Sequence, residues 1–168
     1  MTASRNLIST KKNRKEKKTM MKVFKNKLLL SVVLRHPDKA LHPNNSMPLS
    51  SRGAKIANQI KIDAKKKARG LAKLKAIEAG AKRLPMHPNA YRIYWFFQTG
   101  RGPDGDNCGA VCKAYMDGIC QAIGMDDRHL EFLGVKVVRD RARTGYLAIN
   151  FYDRILVDAD RKDVSNEN

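Results

Sequence analysis

Asp104 and Asp106 stand two residues apart and are followed at once by Asn107, in the run G-P-D-G-D-N that starts at Gly102. A second acidic pair, Asp126 and Asp127, comes after a helix-like stretch, in G-M-D-D. Carboxylates gathered in this way suit a hard cation, and Mg²⁺ needs only one or two of them because it keeps several waters. The surrounding chain is basic: its 168 residues hold 34 Lys and Arg against 16 Asp and Glu, a formal net charge of +18. The charge is uneven, with 23 basic and 4 acidic residues before Pro85, and 11 basic and 12 acidic from Pro85 onward. Such asymmetry points to a polyanionic partner, nucleic acid before an anionic membrane surface.

Other chemistries fit D-G-D-N less well. Taken alone, the tetrapeptide is good turn sequence. A calcium loop matches at Asp104, Asp106 and Gly109, but its fifth position would be Cys108 and its twelfth Tyr115 in place of Glu. Zinc held by Cys108, Cys112, Cys120 and His129 requires an unusual C-x3-C on one helix face, whereas helical spacing explains the cysteines as small core residues. A Mg²⁺-dependent nuclease needs oxygen ligands beside a phosphate, and the two acidic pairs supply them. About 16 residues of helix lie between the pairs, ~24 Å along a straight axis. Asp127 therefore reaches Asp106 only if the next loop folds back, the helix is shorter, or a second subunit supplies it.

The elements around these residues follow from periodicity. Residues 1–24, with K-K-N-R-K-E-K-K at 11–18, read as a disordered basic arm, and residues 154–168 as a polar tail, leaving a single domain over 25–153. Lys27 to Leu34 predicts a strand that is apolar on both faces and so central in a sheet. Ser50 or Ser51 caps a helix over 53–81 whose buried face is Ala57, Ile60, Ala64, Ala68 and Leu71. Tyr91 to Phe97 is the strongest strand signal. Tyr91, Ile93, Trp95 and Phe97 point one way, and Arg92, Tyr94 and Phe96 the other. Core packing is the stronger reading of these aromatics and base stacking the weaker. Asn107 to Ile123 predicts a helix that buries Cys108, Val111, Cys112, Tyr115, Ile119 and Ala122 and is ended by Gly124. Lys113 and Asp117, four apart, lie on its other side. Glu131–Val138 and Gly145–Tyr152 predict two antiparallel neighbouring strands joined by R-D-R-A-R-T-G. The order is β-α-β-α-β-β: an α/β (α+β) layer, a mixed sheet with two helices packed on one side.

With Lys113, Asp117 and the D-D pair in place, the P-D-G-D-N run resembles the RusA-type Holliday junction resolvases. Their pattern is D-x-D-N, then a Lys and an Asp four apart on the next helix, then D-D. L-H-P-N-N at Leu41 to Asn45 looks like the family's loop after its first strand, and Ser51 to Gly53 like the start of its first helix. The resemblance covers roughly residues 25–152. It implies that Asp104, Asp106 and Asp127 are catalytic carboxylates holding Mg²⁺, with Asp126 as the alternative to Asp127, and that Lys113 is a catalytic basic residue near the scissile phosphate. Asn45, Lys61, Lys65, Lys66, Arg69 and Arg101 would hold the DNA backbone. Branched DNA as substrate, a homodimer, and the cytoplasm of a bacterial or phage-infected cell belong to the same implication. This chain departs from the pattern by about three extra residues before the Lys, which turn a helix by some 300°.

Composition narrows the rest. Three cysteines without C-x-x-C argue against a disulfide framework and for a reducing cytosol. The longest apolar run, Leu28 to Leu34, is too short to span a bilayer, and Arg35-His36-Pro37 after it is not a signal cleavage site. The basic N-terminus shares its composition with an organelle transit peptide. No small-molecule cofactor is expected. Two rivals stand beside the junction nuclease: a non-catalytic basic nucleic-acid-binding protein, and a metal nuclease indifferent to branching.

Overall fold

A computed structural model describes residues 22–42, 51–97, 105–143 and 145–158. Most of the basic arm, the loop with Asn45, the run with Arg101 and Asp104, and the last ten residues lie outside the described residues. Six main elements follow in order: β1 (Lys22–Arg35), α1 (Ser51–Glu78), β2 (Ala90–Phe97), α2 (Gly105–Ile123), β3 (Glu131–Arg139) and β4 (Tyr146–Asp158). The fold is α+β, a mixed four-stranded sheet in the order β1-β4-β2-β3 with both helices packed on one face. β4 runs antiparallel to β1 and to β2, while β2 and β3 are parallel, with α2 as the crossover between them.

Two sequence expectations about the sheet are corrected. β3 and β4 do not form a hairpin, because β2 lies between them. The connection crosses the end of β2, where the Asp140 N–H donates to the Phe97 carbonyl at 3.0 Å. β4 takes the interior place because Leu147, Ile149 and Phe151 are wholly buried and Ala148 nearly so. β1, expected to be central, is an edge strand. Leu30, Val32 and Leu34 face the core, but Leu28 and Val33 on the other face are 52% and 56% exposed. Apolar residues on both faces did not mean that both faces are covered. The β1–β4 ladder also extends further than expected: residues 154–158, read as tail, pair with 22–26, of which 22–24 were read as arm.

The helices pack by different means. α2 buries Cys108, Val111, Cys112, Tyr115, Ile119 and Ala122 as predicted, with Met116 added. It ends at Gly124, whose φ of +84° lets the N–H groups of Gly124 and Met125 both donate to the Cys120 carbonyl, at 2.9 and 3.0 Å. α1 buries Ala57 and Ala68 as predicted, but Ile60 and Leu71 are 51% and 39% exposed, and Ala72 and Ala76 complete the stripe. The cause is Gly118 of α2: a Cβ there would sit 2.2 Å from the Arg69 carbonyl oxygen. Backbones this close leave room only for alanine on the facing stripe. Among the described residues no helix is long and apolar enough to cross a membrane.

Candidate acidic and basic cleft

α2 is one continuous helix from Gly105 to Ile123. Positions 106 and 113 are seven apart, about 700° of rotation, and therefore share a face within roughly 20°, ~10 Å apart along the axis. Asp117, one turn further, stays on that face, and exposed Ala110 fills the turn between. Only the backbone of Asp106 is described, and Asp104 lies outside the described residues.

A row of alternating charges runs across this face. Arg69 of α1 donates to Asp117 at 2.8 Å, Lys113 sits 3.4 Å from Asp117, and Lys113 also donates to Asp127. Asp127 reaches it because Gly124 turns the chain and the next residues form a 3-10 turn, Asp127–His129. The two acids of the pair then diverge. Asp126 caps that turn, accepting from the Arg128 N–H at 3.0 Å and from its guanidinium at 2.7 and 3.0 Å. Asp127 faces α2. The loop thus folds back, as one of the sequence alternatives required, and brings Asp127 to Lys113.

The electrostatics follow these contacts. The hydrogen bond to Asp127, then the charges of Asp127 and Asp117, raise the Lys113 pKa above 10.5 against a desolvation that lowers it. Arg128 holds the Asp126 carboxyl well below the usual carboxylate range. Burial, and then the Asp127 charge, push up the phenol of Tyr91, which stacks on Phe132 at 5.0 Å. Sequence reasoning missed Tyr91 as a neighbour of Asp127. The available signal was register, since Tyr91 opens β2 opposite the start of β3.

Lys61, Lys65 and Arg69 follow one another at four-residue steps along α1 and so share a stripe. Lys65 and Arg69 line a cleft of about 240 Å³ together with Ala110, Lys113 and Asp117. Lys66 is exposed on the adjoining side. Beyond the Arg69–Asp117 bridge, a second cleft of about 540 Å³ opens onto Cys120, Asp126 and Asp127. The expected DNA-holding role of Arg69 must therefore coexist with its ion pair. Among the described residues no three His, Cys, Asp or Glu side chains converge as a metal-sized group. Burial pushes the Cys112 and Cys120 thiols up to about 12.

No family model matches the chain, and no solved structure matches it. A protein of Xylella fastidiosa (strain Temecula1 / ATCC 700964), described as an uncharacterized protein, is 32% identical over 120 residues. The match covers 70% of this chain and 71% of that protein. On that identity and coverage, the chain belongs to one family with the Xylella fastidiosa protein.

Proposed function

We propose that this protein is a Mg²⁺-dependent endonuclease that hydrolyses phosphodiester bonds in branched DNA, four-way junctions above all, in recombination and repair. The observation that carries the reading is the Lys113–Asp127 ion pair. It joins one acid of the D-D pair to the helix that starts at D-G-D-N, beside the basic stripe of Lys65 and Arg69. The donor set fits the metal: Asp104, Asp106 and Asp127 offer carboxylate oxygens, the ligand type of a hard cation. Bound there, Mg²⁺ would supply neutralisation of phosphate charge and a more acidic water.

The chain's own side chains do the rest. Lys113 is kept cationic by Asp127 and Asp117 and is available to a phosphate oxygen. Lys61, Lys65, Lys66 and Arg69 hold the DNA backbone, so binding weakens with salt at a slope near ~0.9 per neutralised phosphate. The working unit of the proposal is a homodimer in the cytoplasm of a bacterial or phage-infected cell, with one site for each of two opposed strands.

Cleavage of a synthetic four-way junction and of a matched linear duplex, each with Mg²⁺ and with EDTA, tests the reading. The junction should be cut only with Mg²⁺, and Asp106→Asn should bind the junction at least as well as wild type without cutting it. Normal cutting by that variant would sink the site assignment. The non-catalytic reading draws on one observation: Asp117, Asp126 and Asp127 are all committed to ion pairs, with Arg69, Arg128 and Lys113. It predicts no cleavage, and junction binding to which Mg²⁺ adds only screening.

A further inference from the structure

The face of the sheet turned away from the helices is the opposite of the buried one. Arg92, Tyr94 and Phe96 of β2 share it with Lys136 of β3 and with Asn150 and Tyr152 of β4, as strand alternation and register require. A trough of about 930 Å³ lies along it. Its lining includes the rings of Tyr94, Phe96 and Tyr146 and the cations Lys136 and Arg143, and contains no carboxylate. Asp140, outside the lining, stands 3.7 Å from Arg143. Polar groups link three strands. Ser31 donates to Asn150 at 2.7 Å, the Asn150 amide to Tyr152 at 3.4 Å, and the Tyr94 and Tyr152 hydroxyls lie 3.2 Å apart. The Arg143 guanidinium lies 5.2 Å from the centre of the Phe96 ring.

We infer that this open face binds single-stranded nucleic acid, with bases on the rings of Tyr94, Tyr146 and Tyr152 and phosphates on Lys136 and Arg143. Aromatic rings on a sheet offer a π-face to any unpaired base, and cations along the same track hold the backbone. A duplex hides its base faces and cannot use such rings. The inference does not rest on the nuclease reading, because it concerns the other side of the sheet and is measured without cleavage.

The test is fluorescence anisotropy of the full chain with a labelled oligothymidylate of about 12 nucleotides, in EDTA at ~0.2 M salt to suppress non-specific contacts. Tyr94→Leu with Tyr152→Leu should weaken binding about tenfold, as the loss of base stacking does. Tyr94→Phe with Tyr152→Phe, which keeps both rings, should bind within about twofold of wild type. Lys136→Glu changes an exposed side chain and carries the test if the leucine pair unfolds; it should weaken binding several-fold. Absence of oligothymidylate binding by wild type, or unchanged binding in Lys136→Glu and the leucine pair, overturns the inference. So does a wild-type dimer, seen by sedimentation, that Lys136→Glu dissociates. Binding is read on an unbranched oligonucleotide without Mg²⁺, so failure to cut junctions and failure of this face are distinguished.

Discussion

α1 and α2 lie side by side and are built on opposite principles. α2 fills its buried side with Val111, Tyr115, Met116 and Ile119, while α1 presents Ala57, Ala68, Ala72 and Ala76 and leaves Ile60 and Leu74 in solvent. A helix that packs on a sheet buries its bulkiest apolar residues, and a hydrophobic stripe at helical spacing finds them. A helix that packs against another helix at a glycine obeys a different rule, because the space is set by backbone approach. At Gly118 size decides which residues of α1 face inward, and hydropathy does not. The charge row follows the same geometry: the close approach is what brings Arg69 to Asp117 and lets the lysines of α1 flank Lys113.

The contrast can be broken most forcefully at the crossing. Gly118→Leu places a side chain where the Arg69 carbonyl already stands, and neither helix backbone yields cheaply. Urea unfolding should show a loss above about 3 kcal/mol; a loss below about 1 kcal/mol would mean the helices are not in backbone contact. The same substitution on each helix then sharpens the difference. Ile119→Ala, at a wholly buried site, should destabilise by about 2–5 kcal/mol, whereas Ile60→Ala on α1 should stay within about 0.5 kcal/mol. Equal losses would refute the packing described for α1. The smallest effect is electrostatic. The folded pKa of Lys113 is raised, so its ion pair contributes fully below the unfolded value of 10.5 and is lost as pH rises through the folded value. With the side chain 60% exposed, the contribution is a few tenths of a kcal/mol. Stability of wild type and Lys113→Met should differ by that amount at neutral pH and converge in strong alkali.

These helices also mark how far the sequence was legible. The order of elements, most of the buried stripe of α2 and its glycine stop could be read because large apolar residues repeat at the helical period. The stripe of α1 was half legible: alanine carries little hydropathy signal, and the glycine that selects alanine lies in the other helix. In the sheet, a short loop suggested a β3–β4 hairpin, yet the same loop crosses the end of β2, and only the burial of Leu147 and Ile149 tells the two apart. At the candidate site, the shared face of positions 106, 113 and 117 follows from helical arithmetic. The Lys113–Asp127 pair does not, since helix length says how far apart two acids are and nothing about which cation a returning loop will meet. Arg69 was read as a phosphate contact, and its partner Asp117 was not foreseen because the bridge spans two helices.

The position of β4 has a consequence for biosynthesis. It is the last strand of the described residues and an interior one, and both β1 and β2 take their antiparallel partner from it. Lys22 at the start of the first strand pairs opposite Asp158 at the end of the last, a separation of nearly the whole described chain. A chain emerging from the ribosome in order must therefore hold β1, both helices and β2 without their shared neighbour until β4 is free. The cooperative step waits for β4, and a chain truncated before Tyr146 would leave two strand edges open to one another and to other chains.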